Sequence, residues 1–214
     1  MTELFPKWTN RVPTLAAAGA VVGLGLVILV VSYYFSPRYT DAGYAPPQPV
    51  SYSHKLHAGL LGFDCRYCHQ GVENGPHATV PPTDTCMNCH QANRVKGDSP
   101  KLKMIRDNAV SGDPVPWVKV HMLPDYVYFD HSVHLAAGVG CASCHGRVDQ
   151  MEVVRQVEPL SMSWCLECHM APENHLRPQG ELTNMGYQHD PEVARRLISE
   201  NGINPPIHCS ACHR

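Results

Sequence analysis

The chain is short of the material that usually holds a domain together. Aromatic residues make up 7% of its 214 residues, charged residues 17%, and the formal net charge is only -2. So small a charge excludes a nucleic-acid binder and an acidic tail. Once residues 13–35 are set aside, long aliphatic runs are missing as well. The length would allow an ordinary domain with a sizeable core, but the side chains to fill one are scarce. Disulfides, metals or prosthetic groups must supply the difference. Three residue types are in excess instead: 10 Cys, 14 His and 19 Pro.

The one long apolar block runs from Pro13 to Phe35, 23 residues without a charge. At the helical rise this crosses a hydrocarbon core of about 30 Å. A cleaved signal peptide carries an apolar region of only about 7–15 residues, so residues 13–35 read as a retained transmembrane helix. Lys7 and Arg11 precede it, which by the positive-inside bias leaves residues 1–12 in the cytoplasm and exports the rest. Tyr33, Tyr34 and Phe35 fall where an interfacial aromatic belt would lie. Gly19 and Gly23, with Ala16 and Ala20 beside them, would admit a second helix closely. An ordinary apolar span that contains glycine accounts for them equally well. Residues 36–50 (SPRYTDAGYAPPQPV) read as an extended Pro-rich linker.

Every cysteine belongs to one motif. The five copies are Cys65-Arg-Tyr-Cys68-His69, Cys86-Met-Asn-Cys89-His90, Cys141-Ala-Ser-Cys144-His145, Cys165-Leu-Glu-Cys168-His169 and Cys209-Ser-Ala-Cys212-His213. C-x-x-C-H is the attachment signature of c-type haem: two thiols bond the macrocycle and the adjacent histidine becomes an axial ligand. Five trailing histidines would follow five cysteine pairs by chance about once in a million. Zinc sites want cysteine pairs without a fixed histidine, and a disulfide framework explains no histidine. The expectation is five covalently bound haem c groups in residues 51–214, attached outside the cytoplasmic membrane. At about 36 residues per haem over residues 36–214, the porphyrins themselves would be the core. The fold expected is therefore mostly irregular and α-helical, with little or no sheet.

Nine histidines remain outside the motifs: His54, His57, His77, His121, His131, His134, His175, His189 and His208. Five irons need five sixth ligands, so all could be bis-His, and a haem capped on both faces carries electrons rather than binding substrate. An internal repeat narrows the choice. Residues 52–73 (YSHKLHAGLLGFDCRYCHQGVE) and 129–149 (FDHSVHLAAGVGCASCHGRVD) share aromatic-x-His-x-x-His, then Gly, then the motif. A second motif follows each copy, giving dihaem modules at about 51–92 and 126–170 and a fifth haem at 208–214. The H-x-x-H spacing resembles the small multihaem class III cytochromes, where the first histidine caps its own module's haem and the second reaches a neighbour. That resemblance implies that His54 caps the haem at Cys65 and His131 the haem at Cys141, with His57 and His134 serving others. His77 and His121 are further ligand candidates. Surface or hydrogen-bonding roles suit His175, His189 and His208 better. Met162 is a rival ligand near the fourth motif, and Met185 and Met122 are lesser ones. The basic stretch 93–106 could meet an acidic partner or simply face solvent.

Beyond the motifs, the segments PPTDTCMNCH, VGCASCHGRVDQMEVV and PLSMSWCLECH closely resemble the pentahaem cytochrome subunit of alternative complex III. The resemblance covers most of the chain. It implies an electron-transfer subunit, not itself an enzyme, in a quinol-oxidising complex of the bacterial inner membrane, with its haem domain on the periplasmic side. The partners it implies are an iron–sulfur subunit, a monohaem cytochrome and a quinol-binding membrane subunit. A stand-alone tetrahaem quinol dehydrogenase feeding a periplasmic reductase is the alternative, and five motifs rather than four argue against it. A multihaem nitrite reductase would want an open, often Lys-ligated haem, and no C-x-x-C-K occurs.

Overall fold

The computed structural model describes residues 5–213. The apolar block becomes helix α1, Val12–Tyr34, entered through a 3-10 turn over Lys7–Arg11. Pro13 lies in its first turn, where a missing N–H is not needed. None of its residues is buried, and the helical stretch Lys7–Tyr34, 28 residues, is long and apolar enough to cross a membrane. A single turn, α2 (Pro37–Thr40), follows. Beyond it the linker lies against the domain. The Gly43 N–H donates to the Gln156 carbonyl at 2.7 Å, and the Gln156 N–H donates to Tyr44 at 3.0 Å. Gln48 bonds both backbone groups of Val118 through its amide, at 2.9 and 3.0 Å.

The remaining helices are short: α3 (Cys65–Cys68), α4 (Thr83–His90), α5 (Lys103–Ser111), α6 (His131–Ala136), α7 (Ala142–His145), α8 (Met162–Met170), α9 (Pro191–Asn201) and α10 (Cys209–Cys212). Side chains start several of them. Asp64, Asp130, Ser161 and Asp190 accept backbone N–H groups at the N-termini of α3, α6, α8 and α9, satisfying donors that a helix leaves unpaired. No strand forms among the described residues. The nearest approach is two isolated bridges, Val127 with His213 and Val139 with Leu176. This is the mostly irregular, helical architecture with little or no sheet expected from the density of C-x-x-C-H motifs.

The core is correspondingly thin. Among the described residues eight apolar ones are buried, and Leu176 is the one large side chain fully so. Val72, Leu135 and Leu182 form a cluster, with Ala78 against it. Close backbone approaches do much of the joining. A Cβ on Gly59 would overlap the Asp149 carbonyl, so the two modules touch there through main chain. Gly138 has φ +93, and a Cβ on it would come 2.7 Å from the Arg177 carbonyl. Gly138→Ala is therefore expected to lower stability by about 1–3 kcal/mol, read as a shift in the urea midpoint of the holoprotein. An unchanged midpoint would show that the loop relaxes freely.

Candidate haem-attachment sites

Each motif places its cysteines on one helical turn, so residues i and i+3 share a face, and its histidine closes the turn. All ten thiols are free. The Asp64 side chain caps the first turn and pairs with Arg66, and that hydrogen bond holds its carboxyl down at about 2. Burial pushes the Cys144 thiol up to about 12, which keeps it protonated in the polypeptide alone.

The imidazoles carry the clearest pattern. Seven rings direct Nδ1 at a backbone carbonyl: His57 to Ser53 at 2.8 Å, and His69 to Thr79, His90 to Val95, His131 to Pro76, His134 to Asp130 and His169 to Pro206, all at 2.7 Å; His213 to Tyr126 is 3.2 Å. A carbonyl only accepts, so Nδ1 bears the proton and Nε2 keeps its lone pair, the arrangement metal-ligating histidines use. Burial supports the neutral form. It pushes His145 down to about 3 and His54 to about 4, with nearby imidazoles adding to both shifts.

These rings face one another in pairs. His57 stands 6.2 Å from His90 between ring centres, His134 stands 6.2 Å from His169, and His131 stands 6.4 Å from His145 with planes within 8°. His54 neighbours His69, and its Nδ1 is buried without a partner. No cluster of three or more His, Cys, Asp or Glu suited to a bare metal ion occurs among the described residues. Donors in twos suit a metal whose other four ligands come from a macrocycle. Two metal–nitrogen bonds of about 2 Å, plus a little over 1 Å from nitrogen to ring centre on each side, span roughly 6.3 Å. The residues present therefore fit haem.

Comparison with known proteins gives the same class. The chain is 33% identical over 129 residues to the "Menaquinone reductase, multiheme cytochrome c subunit" of Nitratidesulfovibrio vulgaris. The match covers 60% of this chain, and the chain spans 59% of the relative's length. No family model matches.

The five motifs are linked as neighbours in the order second, first, third, fourth, fifth. Asn88 donates to the Tyr67 hydroxyl at 3.2 Å, joining second to first. First and third share a strap, because Thr183 donates to Asp64 at 2.8 Å and the Cys141 N–H donates to Leu182 at 3.0 Å. The Cys65 and Cys141 thiols interact there, so Cys65 holds its proton more tightly. The His134–His169 pair joins third to fourth, and the Pro206 carbonyl on His169 joins fourth to fifth.

Not every histidine singled out from the sequence is drawn into such a pair. His77 is exposed, with no side-chain hydrogen bond or ring contact among the described residues. His121 stands behind His145, its Nε2 3.3 Å from the His145 Nδ1, where the other motif histidines that bond a group meet carbonyls. His213 has Tyr126 as its ring neighbour, at 5.8 Å, rather than an imidazole. Met162 and Met122 are exposed, at 66% and 55%. Two features were missed in the sequence. One is the set of carbonyl acceptors, which has no residue-type signature; the other is Arg177, which looks like any surface arginine until its burial is seen.

Proposed function

We propose that the chain is the membrane-anchored pentahaem electron-transfer subunit of a quinol-linked respiratory complex of the alternative complex III type. Five haem c groups would be held by Cys65/Cys68, Cys86/Cys89, Cys141/Cys144, Cys165/Cys168 and Cys209/Cys212, with His69, His90, His145, His169 and His213 as proximal ligands. Bound there, haem supplies one-electron exchange between ferric and ferrous iron. The chain's own residues hold and aim it. Carbonyls fix the tautomer of most ligand rings, and His54, His57, His131 and His134 would close the opposite faces of the first four haems, which excludes substrate there. His121 is assigned to orienting His145 rather than to an iron. The observation that carries this reading is the set of facing imidazole pairs, 6.2–6.4 Å apart.

The anchor would be α1, with residues 1–12 in the cytoplasm and the haem domain on the periplasmic side. Iron–sulfur, monohaem cytochrome and quinol-binding membrane subunits are the partners proposed. The relative's name favours a second direction of flow, towards menaquinone. The same residues would serve it, and turnover of the purified complex with quinol or quinone would separate the two.

The test is a haem count. Produced with its membrane segment in cells that attach c-type haem, the chain should carry five haems by pyridine haemochrome assay, and its motif peptides should be haem-modified by mass spectrometry. Fewer than five, or zinc in their place, would sink the reading.

A further inference from the structure

Arg177 is charged, buried and without an acidic partner. It is 9% exposed, and it follows Leu176, the most deeply buried large side chain. Main chain locks it in place: its N–H donates to the Gly138 carbonyl at 2.9 Å, beside the Val139–Leu176 bridge. The side chain then turns towards the third motif. Nη1 donates to the Asn184 carbonyl at 3.0 Å, and the guanidinium carbon lies 4.9 Å from the centre of the Tyr187 ring. Nε is buried with no hydrogen-bond partner. No carboxylate stands within ion-pair distance of it among the described residues.

Its place is specific. Gly140 immediately precedes Cys141, and a Cβ on Gly140 would overlap the guanidinium itself. The glycine leaves room for the cation against the peptide that carries the third attachment cysteine. Arginine keeps its proton under all ordinary conditions, so this is a permanent positive charge. Burying such a charge unpaired is costly. A carbonyl bond and a stacking contact do not require a charge, and a neutral side chain would do as well if they were the purpose.

We infer that Arg177 sets the redox balance of the third haem: its buried, unpaired guanidinium beside Gly140 and Cys141 favours the ferrous state of the haem attached at Cys141 and Cys144. The reasoning is electrostatic. Ferric haem carries one more positive charge than ferrous, so a fixed cation nearby opposes oxidation, and the low local dielectric strengthens the effect. The inference rests on the haem reading above and adds a residue that touches no iron.

Potentiometric titration of the purified holoprotein, followed by optical and EPR spectra, tests it. Arg177→Met should make one haem of the five easier to oxidise, raising its ferric-to-ferrous ratio about tenfold at a fixed ambient potential, a 59 mV downward shift for a one-electron couple. Arg177→Lys keeps the charge but not the fork or the stacking, and should leave that haem near its native position. Gly140→Ala keeps the cation but displaces it, and should move the same haem; it decides the matter if Arg177→Met yields no holoprotein. Superimposable titrations, a shift shared by all five haems, or a lysine variant that moves as far as the methionine one would each overturn the inference. The haem count separates this from failure of the underlying reading. A native chain without haem at Cys141 and Cys144 sinks the function, whereas five haems with no shift sink only the role of Arg177.

Discussion

With its ten motif cysteines replaced by serine, the chain is expected to give no folded domain. Circular dichroism should retain helix signal from α1 but show no cooperative thermal transition, whereas the holoprotein should melt sharply. The reason is the thinness of the core, with eight buried apolar residues and one large side chain fully enclosed among the described residues. Ordering each residue costs about 1–2 kcal/mol of backbone entropy, and so few contacts cannot offset that over a domain this long. Several large apolar side chains beside the first motif stay exposed in the polypeptide alone: Leu60 at 73%, Leu61 at 60%, Phe63 at 40%. Such a surface needs an apolar group to cover it. A cooperative transition in the haem-free chain would overturn this account.

The largest spectroscopic effects should come from His57→Ala and His134→Ala. Each removes one ring of a 6.2 Å pair, the first opposite His90 and the second opposite His169. Each holoprotein should show one haem of five turned from low-spin to high-spin and binding carbon monoxide when reduced. His121→Ala is the contrast, since its ring backs His145 through Nδ1. It should turn no haem from low-spin to high-spin. Unchanged spectra in both ligand variants would remove the pairing, and a high-spin haem in His121→Ala would place that ring on an iron.

How much of this was legible in the sequence depends on the range of the interaction involved. Helix α1 declares itself because an uninterrupted apolar run long enough to cross a membrane is visible without any tertiary context. The absence of sheet followed from the density of haem motifs, which leaves the polypeptide only loops and short helices to wrap them. At the start of α9, Asp190 accepts from the N–H groups of Glu192 and Val193, a contact within one turn of chain. The resemblance to class III cytochromes implied that the second histidine of each H-x-x-H reaches beyond its own motif, and the rings of His57 and His90 do stand together. Spacing could not say where His121 goes, because His121 and His145 meet across a loop. Nor could it reveal Arg177, whose surroundings come from Gly138, Gly140, Asn184 and Tyr187, on both sides of it in the chain. Burial of a lone charge is a property of the folded object, not of the residue.

The carbonyls that hold the ligand rings have a bearing on biogenesis. Pro206 steadies His169 from 37 residues further on, and Tyr126 steadies His213 from 87 residues back. Synthesis runs from the N-terminus, so the fourth motif is complete well before the residue that aims its imidazole exists. Were haem attached in the order in which the chain emerges, thioether bonds would form while that ring still swings, and the C-terminal segment would act as a latch closed late. A nascent chain cut short of Pro206 would carry a fourth haem attached by both sulfurs, with a ligand ring that nothing yet points.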